Sequence, residues 1–159
     1  MSMRIGLGFD SHAFKPGVPL VIGGLKIDHP EGLAGHSDGD LLLHAITDAL
    51  LGAVSAGDIG TFFPPIDPKW KNADSTRFVN EAVRIVNEME ADIANVDITI
   101  IAQKPKIAPF REAIGAKIAE LLNLPRGHVN VKATTTDQLG FIGRGEGICA
   151  MAVVLISTK

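Results

Sequence analysis

The run MRIGLGF, Met3 to Phe9, sets the fold class. Ile5, Leu7 and Phe9 alternate with Arg4, Gly6 and Gly8, the period-two pattern of a β-strand. Downstream, Lys15-Pro16-Gly17-Val18-Pro19 reads as a turn. Leu20 to Ile22 and Leu25 to Ile27 flank Gly23-Gly24 and read as a hairpin with a two-residue turn. Asp28 to Gly35 is expected to be loop. Ser37 then opens a helix, with Asp40 three residues on in the capping-box spacing. Leu42, Ala45, Ile46, Ala49, Leu50 and Ala53 follow at helical spacing, and Gly57 ends the element.

Asp58 to Ala73 carries Pro64, Pro65 and Pro68, which excludes regular structure; a loop of this length in a compact domain is usually functional. Asp74 or Ser75 caps a second helix, with Phe78, Ala82, Val83, Ile85, Val86 and Met89 as its apolar residues. Val96 to Ala102 is a strand, Pro109 to Leu122 a third helix, His128 to Ala133 a strand and Ile148 to Ser157 the last strand. The expected architecture is one α+β domain over residues 1–159. Its sheet is mainly antiparallel or mixed, covered on one face by two or three helices.

Composition narrows the function classes. The 159 residues are 46% apolar, and a chain of this size buries enough surface to need no disulfide staples. With 15 basic against 18 acidic side chains, the net charge of -3 lacks the basic excess of a nucleic-acid binder. The single cysteine, Cys149, forbids an intrachain disulfide and a multi-cysteine zinc cluster. No signal-like h-region follows the start and no apolar run is long enough to span a membrane. A cytoplasmic protein is expected, or an organelle form with its leader removed.

Asp10 and His12 carry the first chemical signal. Residues two apart in extended chain point to one side, so a carboxylate and an imidazole can share one cation. His44, inside the first long helix, adds a second imidazole. Asp40 and Asp48 lie four residues to either side of it, where they serve its ring or simply cap and solvate the helix. Two histidines and one carboxylate form a three-ligand set with room for a fourth, the pattern of a catalytic zinc site. Phosphate handling is the second signal. His36-Ser37 sits at an expected helix start, where free N–H groups favour anions. Thr134-Thr135-Thr136-Asp137 offers hydroxyl and carboxylate oxygens to phosphates and to a hard cation. The glycines at 140, 143, 145 and 147 match neither a dinucleotide fingerprint nor a P-loop, but Arg144 among them can meet an anion.

The segments GFDSH at 8–12, HSDGD at 36–40, DIG at 58–60, KATTT at 132–136 and GFIGRGEG at 140–147 occur in that order. Together they resemble the 2-C-methyl-D-erythritol 2,4-cyclodiphosphate synthase family of the non-mevalonate isoprenoid pathway, from about Arg4 to Ile156. The length matches the stand-alone form of that family. The resemblance implies a homotrimer with active sites between subunits. It also implies a phosphorus–oxygen lyase that closes a cyclic diphosphate and releases cytidine monophosphate. By the same resemblance Asp10, His12 and His44 hold Zn2+, and Asp137 serves a second cation, Mg2+ or Mn2+. His36 and Ser37 position the phosphates and the erythritol part. Ser11 stands between two ligands, and Asp58, Ile59 and Gly60 form a loop around the substrate, continued by Phe63, Pro64, Pro65, Ile66 and Asp67. Ala102, Gln103, Lys104, Pro105, Lys106, Ile107 and Ala108 match the stretch that recognises cytosine. Thr134, Thr135 and Thr136 match diphosphate contacts, Thr135 with a transition-state role. Phe141 and Arg144 line the rest of the pocket and a central channel, where an isoprenoid diphosphate is a possible ligand.

Two departures from the family pattern stand out. Asp137 replaces the usual glutamate and is one methylene shorter. Pro65 replaces the first acid of the flexible loop, removes a carboxylate and stiffens the chain. Other classes also fit a metal triad. A zinc-dependent hydrolase would use water as nucleophile, and a structural zinc module would need a fourth protein ligand, with His29 and His128 the remaining histidines.

Overall fold

A computed structural model describes residues 1–158. Strand β1 (Ser2–Pro16) pairs antiparallel with β7 (Gly147–Thr158) along most of its length, from Ser2 opposite Thr158 to Ala13 opposite Gly147. On the far side of β7 lies β5 (Ala91–Ile101), antiparallel to it, and β6 (Val129–Thr134) runs parallel to β5 at the edge. The short β4 (Glu31–Leu33) closes the other edge against Phe14 to Pro16. The order β4-β1-β7-β5-β6 is a mixed sheet, as the α+β reading expected. The hairpin of β2 (Leu20–Ile22) and β3 (Leu25–Ile27) turns on Gly23 and Gly24, both at positive φ (63° and 77°), which glycine adopts without steric cost.

Three helices pack on one side: α1 (Leu41–Ala53) on β1 and β7, α3 (Thr76–Glu88) on β5 and α1, and α4 (Arg111–Leu122) on β6. The inward faces of β7, β5 and β6 are apolar: Ile148, Ala150, Ala152, Val154 and Ile156, then Val96, Ile98 and Ile100, then Val129 and Val131. On β1 the buried face is the glycine one. A Cβ on Gly6 would fall 1.8 Å from the Ala49 carbonyl oxygen, so only glycine lets α1 settle this close. Ile5, Leu7 and Phe9 therefore point away from the helices and stay exposed, at 70%, 59% and 54%. No helix among the described residues is long and apolar enough to cross a membrane.

Several boundaries differ from the sequence reading. β1 does not stop at Phe9, because β7 continues the ladder past it, with Asp10 opposite Ala150 and His12 opposite Ile148. Part of the expected 28–35 loop is β4. Helix α1 starts at Leu41 and not at Ser37. Its cap is Asp40, whose side chain accepts from the Leu43 N–H, while the Ser37 hydroxyl is engaged elsewhere. The proline-rich 58–73 segment is not wholly irregular: it contains α2 (Ile59–Phe62) and a 3-10 turn, Pro68–Trp70. The glycine-rich run includes a one-turn helix, α5 (Gly140–Gly143).

Candidate functional site

Asp10 and His12 project from the same side of β1, as alternation requires. His44 reaches them from α1, which the close Gly6 and Gly8 contacts hold against that strand. Asp10 Oδ2 lies 2.7 Å from His12 Nε2 and 3.0 Å from His44 Nδ1. One ligand atom from each residue lies within 4.8 Å of the others, and all three residues are half-buried. Burial works against the Asp10 charge, but hydrogen bonds to the two imidazoles and their charge outweigh it and hold the carboxyl at about 2. At His12 burial opposes the charged ring, and the bond and charge of Asp10 overcome it, so its pKa is raised. The far nitrogen of each ring is engaged: His12 Nδ1 with the Ala34 carbonyl, His44 Nε2 with the Ser75 and Ser37 hydroxyls. A cation ligated here finds imidazoles already braced from behind.

The expected helpers of His44, Asp40 and Asp48, do not touch its ring. The wholly buried Asp40 carboxyl accepts from Gly23 N at 2.9 Å, Gly24 N at 2.6 Å and Leu43 N at 3.2 Å. Burial pushes it up to about 6 despite those N–H groups, and Asp38 adds to the rise. Asp48 Oδ1 accepts from Ile59 N at 2.7 Å and ties the start of α2 to α1. Burial raises its pKa as well.

The triad opens into a cavity of about 270 Å³, also lined by His36 and Ser37 and by Ile59, Gly60, Phe63 and Pro65 of the 58–73 segment. Its wall includes two residues that sequence reasoning missed, Trp70 and Phe78. They pack with Phe63 at centroid distances of 4.9 and 4.5 Å, and Phe78 lies 5.7 Å from the His44 ring. Ser75 and Asp38, behind His44, were missed too. Ser75 lies 31 residues from His44, so no local spacing reveals it.

The other expected site residues lie elsewhere. The parallel strands β5 and β6 end side by side, and Ala102 N donates to Thr134 O at 3.0 Å. Beyond those ends is a second cavity of about 290 Å³, lined by Ala102, Gln103, Pro105, Lys106, Ile107, Ala108, Thr134 and Thr135. Gln103 Oε1 accepts from Gln138 N at 3.1 Å, and Thr135 Oγ1 from Asp137 N at 3.2 Å. Asp137 is exposed and is not part of the metal-competent group. Phe141 lines an apolar recess with Thr136, Leu139 and Ile142, and Arg144 pairs with Glu146 at 2.7 Å. Asp58 caps α2 through Thr61, Asp67 caps the 68–70 turn, and Ile66 is exposed. Ser11 is exposed, with its N–H on Asp10 Oδ1, and neither Pro64 nor Lys104 lines either cavity.

The fold and site define an α+β protein with a three-ligand metal-competent centre lining a cavity. The chain belongs to the YgbB family, whose model matches residues 3–157. It is 54% identical over 156 residues to a 2-C-methyl-D-erythritol 2,4-cyclodiphosphate synthase of Lysinibacillus sphaericus, covering 98% of this chain and 99% of that one. It is 50% identical to a bifunctional enzyme IspD/IspF of Erythrobacter litoralis, of which it spans 41%. Among solved structures, a CDP complex of IspF from Plasmodium falciparum superposes with a TM-score of 0.88. That pair is 37% identical, with 99% of this chain and 97% of the other covered. The resemblance read from the motifs is thereby borne out.

Proposed function

We propose that the chain converts 4-diphosphocytidyl-2-C-methyl-D-erythritol 2-phosphate into 2-C-methyl-D-erythritol 2,4-cyclodiphosphate and CMP. The observation that carries this reading is the division of the site residues between two cavities. The metal-competent triad lies in one, and Thr134 and Thr135 with the 102–108 segment in the other. Two half-sites of this kind complete one another when the metal half of one copy faces the nucleotide half of another, as in a homotrimer. The exposed apolar face of β1, with Met151 and Val153 beside it on β7, supplies a surface for that assembly. A relative's structure with CDP bound supports a cytidine nucleotide as ligand. In such an assembly Arg144 and Phe141 would line a central channel, where an isoprenoid diphosphate is the proposed ligand.

The substrate's own 2-phosphate is the nucleophile, so no Ser–His–Asp set is required. A new bond forms from a 2-phosphate oxygen to the β-phosphorus, the bond from that phosphorus to the α,β-bridging oxygen breaks, and CMP leaves with the bridging oxygen. Such a transfer depends on alignment and charge neutralisation. Zn2+ held by Asp10, His12 and His44, with Mg2+ or Mn2+ near Asp137, supplies that neutralisation when bound. His36 and Ser37 orient the phosphates at the cavity mouth. Thr134 and Thr135 donate hydroxyls to the diphosphate, and Thr135 holds the charge that grows on it. Backbone groups of 102–108 grip the cytosine, and the aromatic wall of Phe63, Trp70 and Phe78 limits water.

The test is incubation with that substrate, with and without a chelator, followed by phosphorus NMR. A cyclic diphosphate that appears only with metal is the expected product, whereas a linear diphosphate would make the protein a hydrolase. His44→Ala is expected to abolish Zn2+ binding and cyclisation while the assembly stays folded.

A further inference from the structure

We propose that Asp38 and Ser75 form a positioning relay that accepts the His44 Nε2–H and so holds the ring with Nδ1 aimed at the cation site. The inference rests on the metal reading given above. Ser75 is wholly buried and stands at the N-cap position of α3, yet its side chain caps nothing. An N-cap serine ordinarily gives its oxygen to the N–H groups of its own helix. Here the Ser75 hydroxyl bonds Asp38 Oδ1 and lies 2.9 Å from His44 Nε2. The Ser75 N–H also donates to Asp38 Oδ2, at 3.0 Å, so the carboxylate grips this residue through both oxygens.

The placement of the protons follows. A carboxylate only accepts, so the Ser75 O–H points at Asp38. The Ser75 oxygen then has only lone pairs for the imidazole, so any bond between the two is donated by His44 Nε2. Nδ1 faces a second acceptor, Asp10 Oδ2 at 3.0 Å, so in the metal-free chain two acceptors compete for the ring hydrogen, and a cation on Nδ1 would leave it on Nε2. His12 is set the opposite way: the Ala34 carbonyl lies behind Nδ1, and Nε2 is 2.7 Å from the same carboxylate oxygen. The two rings thus present different nitrogens to one point, each fixed by an acceptor behind it.

Ser37 cannot substitute for the relay. Its hydroxyl lies 3.0 Å from His44 Nε2 but makes no bond to Asp38, so it donates to that nitrogen as readily as it accepts. Only Ser75, with its hydrogen taken by Asp38, has a fixed polarity.

The experiment uses the full chain, nitrogen-15 labelled and loaded with Zn2+. Long-range proton–nitrogen correlation reads which His44 nitrogen carries hydrogen, and competition with a chromophoric chelator reads Zn2+ affinity. Wild type is expected to show hydrogen on His44 Nε2 and the metal-shifted signal on Nδ1. Ser75→Ala is expected to bind Zn2+ about 10–100-fold more weakly. Ser75→Thr, which keeps the hydroxyl, restores the affinity. Hydrogen on Nδ1 with the metal on Nε2 in wild type overturns the relay without any variant, as does Ser75→Ala with wild-type affinity. A wild-type chain that binds no Zn2+ overturns the metal reading, and the relay with it.

Discussion

Gly8 and Ala45 meet with no space for a side chain between them: a Cβ on Gly8 would lie 1.8 Å from the Ala45 carbonyl oxygen and 2.9 Å from Ala49 N. The obstacle is helix backbone, which yields only if α1 lifts from the sheet. His44 is the next residue to Ala45, so this contact also sets the reach from His44 to Asp10. Gly8→Ala is therefore expected to cost about 3 kcal/mol or more in urea unfolding, at or beyond the upper end of ordinary overpacking. It is expected to weaken Zn2+ binding as well. Gly52→Ala is the control on the same helix: an added Cβ there meets nothing within 4 Å. That change should stabilise by up to about 1 kcal/mol through helix propensity. Equal stability of the two variants would show that α1 does not depend on the glycine face.

The triad gives the metal-free protein a pH window. Asp10 titrates at about 2 in the fold against 3.8 for the free side chain; burial opposes its charge and the imidazoles prevail. A depressed carboxyl contributes stability above 3.8 and loses it as pH falls toward 2. His12 is raised above 6.5, because Asp10 outweighs burial, so its contribution is full below 6.5 and is lost as pH climbs through the raised value. The Tm difference between chelated wild type and chelated Asp10→Asn is expected to be largest between pH 3.8 and 6.5 and to shrink on both sides. Bound Zn2+ must displace the imidazole protons, so its affinity should fall as pH drops through the His12 value. A Tm difference that does not vary with pH would show that the pair carries no charge coupling.

How much of this was legible in the sequence depends on the range of the interaction. The strand at Met3 to Phe9, the Gly23-Gly24 hairpin and the helical spacing from Leu42 to Ala53 are local patterns, and the structure keeps them. The length of β1 was not legible, because its register on β7 joins residues at opposite ends of the chain. Which face of β1 is buried was hidden as well. An alternation of apolar residues with glycine suggests an apolar core face, and only the approach of α1 reverses it. The metal-competent set was legible once His44 was weighed with Asp10 and His12. Its support was not: the acids at helical spacing, Asp40 and Asp48, serve backbone N–H groups, and the ring is braced by Ser75 from another helix.

The outward face of β1 predicts the assembly. Leu7 is 59% exposed, sits opposite Val153 on β7 and has Ile5 and Phe9 on either side of it on the same face. Such a stripe is costly in water and calls for cover by another copy. Wild type is expected to sediment at three times the chain mass of 16.8 kDa, and Leu7→Asp at a lower mass. Because the triad and the 102–108 segment line separate cavities, Leu7→Asp should also lose cyclisation, on the proposed function, while keeping Zn2+ on the single chain. A variant that stays assembled and active would remove β1 from the interface.

Asp137 offers the sharpest test of the second cation. It sits just past the β6 threonines, exposed, with its N–H on Thr135 Oγ1 and its backbone at φ 52°. Aspartate and asparagine tolerate that left-handed conformation better than longer side chains do, which gives a local reason for the shorter acid here. Asp137→Asn keeps the conformation and removes only the charge, so it isolates the electrostatic role. Mg2+ retains several waters and is usually held by one or two carboxylates with substrate phosphates, so a short acid can act through a water. The Asn variant is expected to need more Mg2+ or Mn2+ for half-maximal rate, with Zn2+ content unchanged. Asp137→Glu gains reach against a backbone strain of about 1 kcal/mol, and its rate should match or exceed wild type at saturating metal. Rate against metal concentration at fixed substrate decides the matter. An Asn variant whose curve overlies wild type would make Asp137 a turn residue, with the second cation held by phosphate and water alone.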